Sequence, residues 1–210
     1  MQKISVIVLI TAILFMACKM HQTLKDKQAE LSTGVIDSNY EYTCSVVGWE
    51  THLPKDWHLL TKDETEKMNE NGQKAIKSTT GASIDMSSLK ELVNLKKDAF
   101  NSFLSTIEKY DESSMGDYDK HNEDVDQLVK NTYAGKQIKF DSREGSEKID
   151  NIDFHIFEIK LYKPGNNEVL LNQKMYSALL KGYDFGMVIN YNNDADKQTL
   201  LKIVEDSKFK

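Results

Sequence analysis

Two prolines and ten glycines in 210 residues leave this chain with little punctuation. Pro54 and Pro164 are too few to mark a proline-rich hinge, so nothing divides the sequence into separate domains. Cysteine is as scarce. Only Cys18 and Cys44 occur, and no Cys-x-x-Cys pair is possible. Arg143 is the only arginine, and the net charge is −6. Phosphate and base-edge recognition lean on guanidinium forks, so a nucleic-acid partner is excluded. Common catalytic signatures are missing too. "GASID" (81–85) lacks the second glycine of a nucleophile elbow, Gly135-Lys136 has no P-loop glycine before it, and no His-Glu-x-x-His occurs. "NNDAD" (192–196) alternates oxygen ligands but lacks the glycine and terminal glutamate of a calcium loop, and reads as a helix cap.

One stretch is conspicuous for what it holds. After Lys3, residues 4–17 are apolar except for Ser5 and Thr11, and Cys18 follows. A helix of that length covers about 21 Å, short of the roughly 30 Å hydrocarbon core. It fits the hydrophobic region of an export signal better than a permanent span. Phe15-Met16-Ala17-Cys18 resembles the bacterial lipoprotein signal, in which a small residue precedes the cysteine that receives lipid. Phe15 stands where that pattern usually has leucine, and Met16 is bulkier than usual. The resemblance implies a signal peptide over 1–17, a lipidated Cys18 carrying palmitate-like acyl chains, and membrane attachment through that lipid. An uncleaved anchor and a plain secreted protein are the alternatives. Lys19 follows the cysteine where many inner-membrane lipoproteins have aspartate, which by the same resemblance favours the outer membrane. Residues 18–41 show no sustained apolar period and read as a flexible tether. With Cys18 lipidated no intrachain disulfide remains, and Cys44 reads as a small, half-buried strand residue.

The remainder, 42–210, is one domain's length. Residues 42–60 are β-rich around a turn at Pro54. Thr61-x-x-Glu64 is a capping box that opens a helix, with Met68, Ala75 and Ile76 at helical spacing. Residues 78–88 read as a loop. Two strands follow, "ELVNLKK" and "NSFLSTIEKY", then a second loop, "DESSMGD". A helix starts near Asp117, with Tyr118, Val125, Leu128, Val129 and Tyr133 on one face. "KQIKFDSRE" begins a strand, and "GSEKID" reads as a turn. Residues 152–191 form a β-meander turned at "KPGNNE" and Lys181-Gly182. Asp194 is expected to cap a last helix through Ser207. In 152–161 the apolar positions pass from even (Ile152, Phe154, Ile156) to odd (Phe157, Ile159, Leu161). A strand with one wet face alternates cleanly, so this sheet is expected to be covered on both sides. The class predicted is α+β: a largely antiparallel sheet between helices, α/β/α.

A first strand leading into "LPKDW", a helix soon after, a long meander and a closing strand-helix-"SKF" (207–209) resemble the PsbP/Mog1-like domain, over residues 42–210. The resemblance implies the same antiparallel sheet with helices on both faces. Plant members support the oxygen-evolving photosystem, and the yeast member binds a Ran-type GTPase. No functional residue of either matches a position here, and the resemblance implies a non-catalytic module that binds a protein or envelope partner, with no cofactor.

Two histidine clusters are the remaining candidates for chemistry. Glu50, His52 and His58 surround the Pro54 turn and would form a zinc site if residues 49–53 and 57–60 paired. Asp117, His121 and Asp124 fall on one helix face and would suit a divalent metal. Against both stand plainer readings: surface histidines near core tryptophans Trp49 and Trp57, and carboxylates favoured by a helix N-terminus. His155 reads as a satisfied core histidine. A hydrolase or metal enzyme is therefore the alternative to the binding module, and a buried pocket joining at least two of these residues would favour it.

Overall fold

A computed structural model of the chain describes residues 22–31, 33–81 and 86–210. The apolar run at 1–17 and Cys18 lie outside the described residues. In chain order the elements are α1 (Leu24–Glu30), β1 (Val35–Ile36), β2 (Glu41–Cys44), β3 (Trp49–His52), β4 (His58–Leu59), α2 (Lys62–Thr80), β5 (Lys90–Lys96), β6 (Ser102–Lys109), α3 (Glu112–Met115), α4 (Tyr118–Gly135), β7 (Phe140–Ile149), β8 (Ile152–Tyr162), β9 (Val169–Leu180), β10 (Tyr183–Tyr191), α5 (Asp194–Glu205) and β11 (Lys208–Phe209).

The strands form two antiparallel sheets. The larger has the order β4-β5-β6-β10-β9-β8-β7, the smaller β1-β2-β3-β11. Alternation along β8 explains the shift of apolar positions read from the sequence. Phe154 and Ile156 point to one face, where they join Trp49, Phe185 and Leu200 in the main core. Phe157, Ile159 and Leu161 point to the other, where they meet Val125, Val129 and Tyr133 of α4 and Ile76 of α2. The large sheet is thus covered on both faces, as expected for α+β. The second cover is not helix alone: α5 shares that face with the small sheet.

Local chemistry places the elements. Thr61 accepts the N–H of Glu64 while the Glu64 carboxylate accepts the N–H of Thr61, so the capping box is formed. Gly81 ends α2 at φ 72, a left-handed cap that costs glycine little. α2 therefore runs three residues into the segment expected as loop. "DESSMGD" holds the single helical turn α3. "GSEKID" is not a turn. β7 runs through Ile149, and the reversal falls at Asp150-Asn151, both at positive φ, which these two residue types tolerate. Asn193, not Asp194, caps α5, accepting the N–H of Asp196 at 2.9 Å. Cys44 is wholly buried.

The stretch read as a flexible tether is largely folded onto the domain. Thr23 and Asp26 form a capping box that starts α1. The buried Lys27 ammonium donates to the carbonyls of Lys55 (2.8 Å) and Trp57 (2.7 Å), satisfying acceptors of the Pro54 turn. Gln22 pairs with both backbone groups of Leu59, at 2.8 Å each, and so caps the β4 edge of the large sheet. Ile36 is buried in the core. Polar composition hid this segment because its contacts are mostly side-chain hydrogen bonds, which carry no apolar period.

Candidate functional site

One cluster of buried polar residues lies beneath α4. Asp117 caps that helix by accepting the N–H of Lys120 at 2.9 Å. One turn on, the buried His121 meets Asp184 of β10 at 3.3 Å. The Tyr118 hydroxyl donates to the other Asp184 oxygen at 2.7 Å and lies 2.5 Å from Ser177 Oγ, which donates to Asn122 at 2.9 Å. A second pair follows along the helix: buried Asp126 and half-buried His155 of β8, 2.8 Å apart. The hydrogen bond to Asp126 raises the His155 imidazole above its ordinary value, against the opposing effect of burial. Burial raises Asp126 above the usual carboxylate range, and its bond to His155 offsets only part of that. Burial and the Asp184 charge likewise push the Tyr118 phenol up, so it stays a donor.

His121, Asp126, His155, Ser177 and Asp184 line a cavity of about 20 Å³. That is room for one water and not for a substrate. Ser177 is held by Tyr118, Asn122 and Asp184 rather than by an imidazole, so it is not part of a serine–histidine pair. The arrangement acts as a polar staple between α4 and the sheet.

The residues singled out in the sequence are dispersed. Of Asp117, His121 and Asp124, only His121 enters this cavity; Asp117 is the cap, and Asp124 is half-exposed and paired with Lys120 at 2.8 Å. His52 and His58 lie in different sheets, His52 exposed opposite Glu41 and His58 against Glu64 at 2.9 Å. Glu50 pairs with Lys210. Among the described residues, no three His, Cys, Asp or Glu side chains converge as metal ligands would. His155 is satisfied by Asp126, though it is only half buried. Sequence reasoning missed both acidic partners, Asp126 of His155 and Asp184 of His121. Asp184 had a signal, an acid within the apolar run "YDFGMVINY".

An open groove lies on the opposite face of the large sheet, the face that α5 also covers. Strand register sets Asp141, Lys160, Asn172 and Tyr191 side by side across β7, β8, β9 and β10. Two residues along, Arg143, Glu158, Lys174 and Ile189 form the next row. Arg143 clasps Glu158 through two nitrogens, at 2.7 and 3.1 Å, and Lys174 bridges Glu147 at 2.5 Å and Glu158 at 3.6 Å. Together these rows shape an open groove of about 360 Å³, within the range of ligand-binding clefts. Its lining carries two acids, Asp141 and Glu158, which accept, and two bases, Arg143 and Lys160, which donate, and both carboxylates are already engaged, by Tyr162 and Arg143. Such a surface suits recognition rather than proton transfer.

A seven-stranded antiparallel sheet held between a helix pair and a small sheet with a C-terminal helix is a PsbP-like fold. Cyanobacterial PsbP (CyanoP) from Synechocystis sp. PCC 6803 superimposes over 85% of this chain and 98% of its own, with a TM-score of 0.53 at 11% sequence identity. LpqN of Mycobacterium tuberculosis, described as involved in cell envelope biogenesis, aligns over 90% of this chain and 97% of its own at 13% identity. Its TM-score of 0.37 is too low to bear on this chain's role. No protein-family model matches the chain, and no curated protein sequence does. At these identities the likeness is one of fold.

Proposed function

We propose that this chain is a lipid-anchored protein of the bacterial envelope whose PsbP-like domain binds a partner without catalysing a reaction. The observation that carries the reading is the apolar run at 4–17 closing on Ala17-Cys18. A cysteine at the end of such a run is what neither a plain secretion signal nor an uncleaved anchor explains. Lys19 directs the protein to the outer membrane. The anchor suffices by itself: a diacylglycerol thioether with an N-acyl group holds the acidic domain on the membrane without help from a basic patch. The inward polar groups serve to pin α4, and the open groove is the surface left for recognition.

Intact mass of the protein extracted from membranes tests the anchor. The expected mature chain begins at Cys18 and carries added lipid mass. Cys18→Ser should abolish that mass and leave the precursor unprocessed, and Cys44→Ser should change neither. A mature N-terminus elsewhere, or a Cys18 without lipid, overturns the reading. Crosslinking in native envelopes then identifies what the domain holds.

A further inference from the structure

The two edges of the large sheet are treated differently. At β4 the edge is two residues long and is capped by the Gln22 amide. At β7 it is ten residues long, pairs with β8 without a bulge, and is exposed throughout residues 141–146. An open edge of that length is a template for another strand.

Gly145, at the centre of β7, has no use within the chain itself. Its φ is not positive, the β7–β8 register is unbroken there, and a Cβ at that position would meet nothing within 4 Å. A glycine in a strand interior weakens the strand, and where no bulge or bend explains it, it marks the close approach of another backbone.

We propose that β7 pairs antiparallel with β7 of a second copy about a two-fold axis through Gly145, joining two seven-stranded sheets into one. Residues directly opposite in an antiparallel pair point to the same face, and a two-fold normal to the sheet preserves faces. One residue must therefore lie on the axis opposite itself. Arg143 or Glu144 there would oppose like charges. Ser146 there would shorten the paired part of β7 from 141–149 to 143–149. With Gly145 on the axis, Arg143 faces Glu147 of the other copy, twice, Ser142 faces Lys148, and Glu144 faces Ser146. No like charges then stand opposite one another. The charges that guard the edge against strangers thus complement a second copy, which commits the edge to self-association. The existing bridge from Lys174 to Glu147 and the clasp of Arg143 on Glu158 become parts of one charge row running through both subunits.

The test uses full-length protein in detergent. Opposed Cα atoms in the pair lie about 4.5–5.5 Å apart, within disulfide reach. Gly145→Cys should give a covalent dimer on mild oxidation. Ser142→Cys, about 20 Å from its own counterpart at roughly 3.4 Å per residue, should stay at the background set by Cys18 and Cys44 in the wild type. Adding Glu147→Lys should cut the Gly145→Cys crosslink by about tenfold, with an unchanged circular dichroism spectrum. Light scattering of the wild type should report a dimer. A wild-type monomer at every concentration up to about 0.1 mM, or equal crosslinking at 142 and 145, overturns the proposal. The light-scattering result decides the matter even if the cysteine variants do not fold.

Discussion

The Trp49 indole N–H donates to Ser207 Oγ at 2.9 Å across 158 residues of chain. Both residues are wholly buried. Ser207 in turn donates to the Ile203 carbonyl at 3.0 Å, and Thr51 Oγ1 reaches the same carbonyl at 2.6 Å. The last turn of α5 is thereby fastened to β3, and the chain continues into β11, where Phe209 packs on Phe154 and Phe185.

Ser207→Ala removes the acceptor and leaves the indole N–H buried without a partner. The expected loss is about 1–3 kcal/mol, the cost of an unsatisfied buried donor. Urea unfolding should show the midpoint falling with the slope unchanged. A loss below about 0.5 kcal/mol would mean that water reaches the indole.

Trp57 follows the Pro54 turn and is almost fully enclosed in the main core. Trp57→Ala should cost about 3–5 kcal/mol, as truncation of a buried aromatic does. A shift under about 1 kcal/mol in denaturant would show that the site collapses around the smaller side chain.

Lys27 holds α1 to the turn, and burial lowers the pKa of its ammonium. Lys27→Met keeps the aliphatic stem and deletes the donors, stranding the carbonyls of Lys55 and Trp57. Hydrogen exchange should then accelerate over residues 22–31 while α4 and β8 keep their protection. Uniform acceleration would indicate instead that α1 is part of the global folding unit.

His155 makes stability depend on pH. Its folded pKa is raised above the ordinary imidazole value of 6.5, chiefly by the bond to Asp126. The folded state holds that proton more tightly than the unfolded chain, so the stabilisation is complete below that value and is lost as pH rises through the raised one. Asp126, raised by burial, acts in the same direction but at carboxylate pH. Wild-type stability should therefore decline from about pH 6 to 8, and His155→Gln should flatten that decline. Thermal melts at a series of pH values read the difference, and a His155→Gln profile parallel to the wild type would refute it.

What was legible in the sequence was whatever chemistry is local. The Thr61–Glu64 box, the helix start near Asp117 and the two-sided apolar pattern of β8 rest on residues a few positions apart, and each appears in the structure where it was read. The failures share a cause as well. Gly145-Ser146 resembles a turn because an edge strand exposed to water needs no apolar alternation. His121 was matched to Asp117 and Asp124 on its own helix, but its partner Asp184 stands 63 residues away, where no spacing rule reaches. The open groove depends on the register of four strands, and register was not read from single segments.

The pairing of β3 with β11 also sets an order of events. Residues 49 and 50 hydrogen-bond with 209 and 208, so one of the earliest strands made must wait for one of the last. Until Ser207 and Phe209 arrive, Trp49, Phe154 and Phe185 lack their cover, and contacts of such long sequence separation form slowly. A ribosome still translating α5 therefore carries a chain that cannot close. The polypeptide stays pliable until residues 207–209 have left the ribosome, and only then can the core around Trp49 lock.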